Sequence, residues 1–154
     1  MNIKVTRHEE FETAHLLPNY KGPCGNLHGH SYKIEVTLEG PQDNFNFDMV
    51  ADFKDIKEAI KNCVPDHKFV LYEQDPISLE IVAILDKYNL SYEMYPFYTT
   101  AENMVRFFAL RINNYIHRTL NYPENIYVSE VKLWETTNSY ATWRLRDECE
   151  NSNS

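Results

Sequence analysis

The sequence predicts an α+β fold in which one antiparallel β-sheet has helices packed on one of its faces. Apolar and polar residues alternate near both ends of the chain, as in strands with one buried face. Between these regions apolar residues recur every three or four positions, as in amphipathic helices. This order of strands, helices and strands over 154 residues is typical of one α+β domain, which we place at residues 1–150.

The N-terminal part of the chain contains the first predicted strands. Residues 2–17 are predicted to be extended, with Phe11, Thr13 and His15 on one face. A loop follows at residues 18–25, and a second strand begins at His28. One face of that strand consists of its even positions, which are His28, His30, Tyr32, Ile34, Val36 and Leu38. The pair of histidines therefore extends a stripe that we expect to be buried.

Three helices are predicted in the middle of the chain, each from a capping residue and an apolar stripe. Asp52 is the expected N-cap of the first helix, and Asp75, followed by Pro76, that of the second. The third helix is expected to start near Thr99, because Thr99 and Glu102 have the spacing of a capping box. The stripes are Phe53, Ile56, Ile60 and Cys63, then Ile81, Leu85 and Tyr88, then Met104, Val105, Phe108, Ile112 and Ile116.

The C-terminal part is predicted to add two further strands, at residues 126–135 and 140–146, joined by a turn at residues 136–139. Residues 151–154 are expected to form a disordered tail. A mostly antiparallel sheet with a second apolar face would need a cover on that face. Sister subunits would provide one, which favours an oligomer.

Composition excludes several classes of function. Fifteen basic and 23 acidic residues give a net charge of −8, which disfavours sequence-independent binding to nucleic acid. Apolar runs fall far short of the ~20 residues that cross a bilayer, so we expect no membrane partner. Three cysteines, at positions 24, 63 and 149, form no evident disulfide framework, and no apolar segment opens the chain as a signal peptide would. We therefore expect a cytoplasmic protein.

Three of the six histidines lie within sixteen residues and suggest a metal site. His28 and His30 project to the same side of a strand, and His15 lies nine residues before Cys24. Three imidazoles suit a divalent transition metal, and a three-histidine zinc site keeps one coordination position open for substrate or water. The alternative is that some of these histidines are ordinary hydrogen-bonded polar residues.

Several short motifs together resemble the 6-pyruvoyl-tetrahydropterin synthase family, which includes the bacterial 6-carboxy-tetrahydropterin synthases. In chain order they are Phe11-Glu-Thr-Ala-His15, Cys24-x-x-x-His28-Gly-His30-Ser-Tyr32, Val50-Ala-Asp52-Phe53, Asp66-His67-Lys, Thr100-Ala-Glu102-Asn103 and Trp134-Glu135-Thr136. The resemblance extends from residue 3 to about residue 146 and implies the tunnelling fold, in which subunits build an oligomeric barrel.

The resemblance also implies roles for individual residues. It places zinc on His15, His28 and His30, and it makes Cys24 the general base. A thiol acts as a base in its thiolate form, which a neighbouring cation or metal favours.

Asp66 and His67 would complete a catalytic relay. Because adjacent side chains of an extended segment point in opposite directions, Asp66 could contact His67 only through a local turn or a bridging group.

The implied substrate is 7,8-dihydroneopterin triphosphate, a pterin with an anionic side chain. Glu135 is in phase with Val131 and Leu133, so its carboxylate should face the apolar side and could accept two N–H groups of the pterin. The alternative is a glutamate at the strand end that points into water. Thr100 and Glu102 are further candidate contacts, although a capping role would suffice for Glu102. The candidates for binding the triphosphate are Lys21, Lys33, Lys68 and Arg144.

The Cys-x3-His-Gly-His spacing favours the carboxy-type branch, because pyruvoyl synthases of the animal type resemble Cys-x5-His-Gly-His. The expected reaction releases acetaldehyde and triphosphate and forms 6-carboxy-tetrahydropterin on the way to queuosine. The family also implies a homohexamer built as a dimer of trimers. The alternatives are a pyruvoyl synthase, a zinc-dependent hydratase or metal oxygenase, and a catalytically silent zinc- or pterin-binding module.

Overall fold

The computed structural model begins with a pair of strands, continues with helices and single strands in turn, and ends with a second pair of strands and a short helix. The structure describes residues 1–42 and 46–151, and the bounds below refer to those residues. The strands are β1 (Asn2–His15), β2 (His28–Pro41), β3 (Lys68–Tyr72), β4 (Tyr92–Tyr95), β5 (Tyr127–Thr136) and β6 (Ser139–Arg144). The helices are α1 (Phe53–Cys63), α2 (Pro76–Lys87), α3 (Ala101–Arg118) and α4 (Leu145–Asn151). None of the helices in these ranges is long and apolar enough to cross a membrane.

The strands form one mixed sheet in the order β4-β3-β1-β2-β5-β6. The pairs β1–β2, β2–β5 and β5–β6 are antiparallel, whereas β1–β3 and β3–β4 are parallel. The predicted α+β class and its antiparallel strands are thus confirmed, and two parallel strands extend the sheet at one edge. With five and four residues, β3 and β4 are too short to show a clear alternation in the sequence.

The main core lies between one face of the sheet and helices α1 and α3. The apolar even positions of β2 from Tyr32 to Leu38 are at most 1% exposed, as their alternation predicts. The predicted stripe of α3 is also buried along its whole length. In α1 the side chains of Ile56, Ile60 and Cys63 are buried, but Phe53 is half exposed, in contrast to the prediction.

Along β1, β2, β5 and β6 the opposite face of the sheet is polar, which contradicts the expectation of a second apolar face. At the β3–β4 edge that face carries a second, smaller apolar cluster, in which Leu71 is buried together with Leu85 of α2. The polar part carries paired charges such as Lys33 with Glu35, whose nearest N and O atoms are 3.7 Å apart, and Lys132 with Glu130, at 3.8 Å. The indole N–H of Trp134 donates to Glu35 at 3.1 Å. The odd positions of β2 determine this character, because alternation turns them away from the core. If subunits meet on this face, the contact is therefore polar.

The predicted ends of the elements are confirmed in some places and wrong in others. Asp52 accepts a hydrogen bond from the backbone N–H of Lys54 at 2.8 Å, and Asp75 accepts one from that of Ser78 at 2.7 Å, so both predicted N-caps are present. The last strand ends at Arg144 instead of residue 146, because α4 begins there. Of the predicted tail, Asn151 is the last residue of α4, and residues 152–154 lie outside the described part.

Candidate metal centre and active site

Pairing of the first two strands brings the three predicted metal-binding histidines together. His15 is directly opposite His28 in the β1–β2 ladder, and His30 is opposite Thr13. The Nε2 atoms of His15 and His28 are 3.1 Å apart, and ligand atoms of all three histidines lie within 4.8 Å of one another. Because His28 and His30 are two positions apart on a strand, they face the same side as predicted. The three imidazoles could bind one metal ion.

Backbone hydrogen bonds orient two of these imidazoles. Nδ1 of His15 lies 2.7 Å from the carbonyl oxygen of Thr99, and Nδ1 of His28 lies 2.7 Å from that of Asn26. A carbonyl can only accept, so Nδ1 carries the proton in each ring and Nε2 is left with its lone pair. This is the usual arrangement of a metal-binding histidine, in which the nitrogen that does not touch the metal donates to a fixed acceptor.

His30 provides the most direct sign that a ligand belongs here. Its Nε2 is buried and has no hydrogen-bond partner among the described residues. The carboxylate Oε1 of Glu135 is 3.7 Å away, beyond hydrogen-bond distance. A buried polar nitrogen without a partner is costly, and a metal ion at the centre of the three rings would satisfy it.

Burial also keeps the histidines in the form that binds metals. Removal from water is the main cause that lowers the pKa of His15 and of His30 below the ordinary value, and in His15 it outweighs the opposing effect of the bond to Thr99. Both rings are therefore held neutral near pH 7. Three neutral imidazole nitrogens fit a divalent transition metal.

A short, tightly bonded loop positions Cys24. The backbone N–H of Leu17 donates to the carbonyl of Cys24 at 2.9 Å, and that of Gly25 donates to Gly22 at 3.0 Å. At Gly25 a Cβ atom would come within 2.3 Å of the Tyr20 carbonyl oxygen, so the loop can close only around a residue without a side chain. Cys24 is a free thiol of intermediate burial, held at a fixed place beside the histidines.

A cleft of about 310 Å³ joins Cys24 to half of the other predicted site residues. Its lining contains five of them, namely His15, Cys24, Thr100, Glu102 and Glu135. The remaining lining residues were not predicted from the sequence, and they are Leu17, Tyr20, Ala101, Ser139, Tyr140 and Ala141. Nothing in their residue types distinguishes them, because they reach the cleft through the turn between β5 and β6, the first residue of α3 and the fold of the Cys24 loop. The volume is within the range of small-molecule sites.

The Glu135 side chain lies on the face of β5 that packs against the main core, as its alternation with Val131 and Leu133 predicts. Its Oε2 accepts a hydrogen bond from the hydroxyl of the fully buried Tyr32 at 3.3 Å. The β5–β6 register shifts between Trp134 and Thr136, so Glu135 lies at an irregularity of the kind that redirects a side chain. Burial above all, and then the nearby Glu135, raises the pKa of Tyr32, so its hydroxyl remains a donor.

The start of α3 differs from the predicted capping box. Thr100, not Thr99, is the N-cap, and its hydroxyl accepts from the backbone N–H of Asn103 at 3.4 Å. Thr99 is fully buried, and its carbonyl accepts from His15. The capping-box spacing placed the N-cap one residue too early, because Thr99 is buried in the core and does not cap the helix. Glu102, the second residue of the helix, is exposed at the edge of the cleft and has no capping role.

Asp66 and His67 form the predicted pair, but away from the cleft. His67 has a left-handed backbone (φ 56°), and this turn brings its Nδ1 within 2.9 Å of Asp66 Oδ1. Asp66 Oδ1 also accepts from the backbone N–H of Glu12 at 2.9 Å, which attaches the turn to β1. His67 lines a second depression together with Glu12 and Ser31, which project from the polar face of the sheet. That depression shares no lining residue with the cleft, although His30 also borders it.

Three of the four candidate phosphate-binding cations already have carboxylate partners. Lys33 lies 3.7 Å from Glu35, Lys68 lies 3.1 Å from Glu93, and Arg144 pairs with Glu130 at 2.5 Å. Lys21, in the exposed loop just before Cys24, has no ion pair within the described part of the chain.

Comparison with known proteins agrees with this geometry. The sequence profile of the 6-pyruvoyl tetrahydropterin synthase family matches residues 4–146. The chain belongs to this family. A family member named 6-carboxy-5,6,7,8-tetrahydropterin synthase from Haemophilus influenzae is 33% identical over 147 residues, which cover 92% of this chain and 99% of that protein. The protein of the same name from Aquifex aeolicus is 35% identical over 125 residues, covering 79% of this chain and 75% of that one.

Solved structures of this synthase family share the fold. The 6-pyruvoyl tetrahydropterin synthase of Plasmodium vivax has a TM-score of 0.68 at 18% identity, covering 93% of this chain and 97% of that one. That of Caenorhabditis elegans has a TM-score of 0.62 at 21% identity, covering 94% and 96%. These similarities confirm the predicted α+β architecture.

Proposed function

We propose that this protein is a zinc-dependent 6-carboxy-5,6,7,8-tetrahydropterin synthase. It would convert 7,8-dihydroneopterin triphosphate and one water molecule into 6-carboxy-5,6,7,8-tetrahydropterin, acetaldehyde and triphosphate, on the route to queuosine. The observation that carries the proposal is one small cleft lined by Cys24, Glu135 and His15, the last of which belongs to a three-histidine group. A reducing cytoplasm fits this proposal, because Cys24 must remain a free thiol to act as a base.

Zinc is the metal that the donor set supports best. Two nitrogens at the usual bond length from a tetrahedral zinc lie about 3.4 Å apart. The 3.1 Å between Nε2 of His15 and Nε2 of His28 needs little adjustment to reach this value. Zinc bound by His15, His28 and His30 would act as a Lewis acid that stabilises negative charge on a substrate oxygen.

The other residues of the cleft would bind the substrate and move its protons. Glu135 would accept hydrogen bonds from two N–H groups on the pterin edge, which fixes the ring in the cleft. Cys24, held by its loop, would remove a proton from the side-chain carbon that bears a hydroxyl group. Thr100 and Glu102, at the start of α3, would contact the substrate at the cleft edge.

A neighbouring chain would bring Asp66 and His67 to the reaction. The pair is formed within one chain, where Asp66 orients the His67 imidazole, but it lies in a different depression from Cys24. We therefore propose that active sites form between subunits of a homohexamer, arranged as a dimer of trimers. A monomer of about 18 kDa in solution would contradict this assembly.

Product analysis tests the activity. The zinc-loaded protein and its Cys24→Ala variant are incubated with 7,8-dihydroneopterin triphosphate, and the products are identified by mass. We expect carboxy-tetrahydropterin and acetaldehyde from the wild type and neither from Cys24→Ala, with equal zinc content in both. Cys63→Ala is the matched control, because that thiol is buried in the core beneath the sheet, and its loss should leave turnover intact.

The other outcomes separate the alternatives. A pyruvoyl product would assign the chain to the pyruvoyl branch, against the Cys-x3-His-Gly-His spacing and the names of its relatives. No turnover by the metal-loaded wild type would favour a silent zinc- or pterin-binding module.

A further inference from the structure

A buried tyrosine holds the carboxylate that is expected to recognise the substrate. Tyr32 lies on the same face of β2 as His28 and His30, but it neither belongs to the metal group nor lines the cleft. It is 0% exposed, and its hydroxyl donates to Glu135 Oε2 at 3.3 Å. This hydrogen bond is longer than the about 2.7–2.8 Å that is usual for O–H···O bonds. Its main effect is therefore to orient the carboxylate and not to add a strong interaction.

Packing fixes the ring that carries this hydroxyl. The ring of Phe11 is stacked on Tyr32, with centroids 5.2 Å apart and planes inclined by 11°. The His30 imidazole meets it edge-on at 5.3 Å, and that of His15 does so at 6.2 Å. A ring enclosed on these sides cannot turn away without repacking the core, so the position of its hydroxyl is determined by the fold.

Glu135 needs such a support. It lies at the irregularity of the β5–β6 ladder, where the strand determines which face the side chain is on but leaves the orientation of its carboxylate open. Its side chain is 24% exposed, and no lysine or arginine of the described ranges forms an ion pair with it. Its polar neighbours are the Tyr32 hydroxyl on Oε2 and Nε2 of His30, 3.7 Å from Oε1.

We propose that Tyr32 is a positioning residue that fixes the Glu135 carboxylate for recognition of a planar heterocycle with adjacent N–H donors. This inference rests on the proposed function, in which that heterocycle is a pterin. Two N–H groups are matched by one carboxylate only in one orientation of its plane, so a donor on one oxygen selects the productive orientation. Tyr32 would thus act on binding, through Glu135, while Cys24 acts on the chemistry.

Tyr32→Phe removes the hydroxyl and keeps the ring that stacks on Phe11. We expect the KM for 7,8-dihydroneopterin triphosphate and the Kd for non-reacting pterin to rise by about tenfold, which corresponds to about one hydrogen bond lost between the misdirected carboxylate and the ligand. The kcat should change by less than about threefold, and the zinc content should be unchanged, because the interaction is made equally in the bound ground state and the transition state. Tyr95→Phe is the matched control, since Tyr95 is equally buried and donates to a different glutamate, Glu93, at 2.9 Å.

A double-mutant cycle shows whether Tyr32 acts through Glu135. In a Glu135→Gln background, Tyr32→Phe should change pterin affinity by less than about twofold. An unchanged Kd in the single variant, an equal loss in Tyr95→Phe, or a full tenfold effect in the Glu135→Gln background would each overturn the inference.

Pterin binding is measured by fluorescence and does not need turnover. If the wild type binds pterin without converting the triphosphate, the proposed activity fails while the effect of Tyr32 on Kd is still decided. If the wild type binds no pterin, the inference about Tyr32 fails too.

Discussion

Replacing Gly25 by alanine should displace Cys24 without removing the metal ligands. The new Cβ atom would lie 2.3 Å from the Tyr20 carbonyl oxygen, and the obstacle is backbone that no rotamer change can clear. The two chain segments must separate by about 0.7 Å to reach even 3.0 Å, the lower limit of real Cβ contacts. Cys24 is the residue before Gly25 and is bonded to Leu17 across this closure, so it moves with the loop.

A displacement of this size should lower kcat by about 100-fold, because a catalytic group misplaced by about 1 Å commonly costs that much. Zinc content should remain unchanged, since the three histidines proposed to bind it lie on β1 and β2, outside the loop. Gly22→Ala is the matched control in the same loop. Its Cβ would meet only the Tyr20 ring, at 2.8 Å, and a side chain can rotate away. A Gly25→Ala enzyme with wild-type kcat, or one that has lost its zinc, would refute this account of the loop.

Three further predictions concern the metal, the phosphates and the pH dependence of stability. His28→Ala and His30→Ala should each lose zinc, and one metal ion per chain retained by either variant, measured by mass spectrometry, would contradict the ligand assignment. Lys21→Gln should raise the KM for the triphosphate substrate by roughly two- to fivefold, as for an exposed charge, without weakening the binding of unphosphorylated dihydroneopterin. In Lys33→Gln, whose lysine is already paired with Glu35, both the KM and the binding of dihydroneopterin should stay unchanged. Burial raises the pKa of Glu93, but hydrogen bonds from Arg111, Lys68 and Tyr95 outweigh it, so its folded-state pKa lies below the ordinary value. The stability that Glu93 contributes is therefore present above its unfolded-state pKa and is lost as the pH falls through its folded-state pKa. Glu93→Gln should lower the free energy of unfolding by about 2 kcal/mol at pH 7. In urea titrations the difference between wild type and variant should shrink below about pH 4. A difference that stays constant from pH 7 to pH 3 would rule this explanation out.

The parts of the fold that local patterns determine could be predicted from the sequence. Strand β2 was predictable because its even positions bury a continuous apolar stripe, and the caps at Asp52 and Asp75 because each side chain bonds within its own helix turn. The parallel strands β3 and β4 could not be predicted, because their pairing depends on contacts distant in the chain. The odd positions of β2 are polar, and alternation turns them to the face opposite to the core. The prediction of an apolar face is therefore wrong along this strand.

The site shows the same division between local and long-range information. The register of β1 and β2 places His15 opposite His28, and alternation alone puts His30 on the same side. Thr99, by contrast, resembles a capping residue in sequence, yet its carbonyl orients His15 from 84 positions away. Only the folded chain shows that contact, because a backbone carbonyl leaves no signature in residue type.

Asp66 and His67, the proposed catalytic pair, show how far adjacency in sequence determines such a pair. Strand alternation would direct the two side chains apart, but the left-handed turn at His67 brings them within 2.9 Å. The chemistry of the pair is therefore determined locally, by two residues and one backbone conformation. Its location is not, since the turn is attached to Glu12 on β1 and borders a depression separate from the Cys24 cleft. A pair complete in itself but separated from the thiol it would serve is what a site shared between two copies of the chain requires. Each copy would then contribute one half to its neighbour.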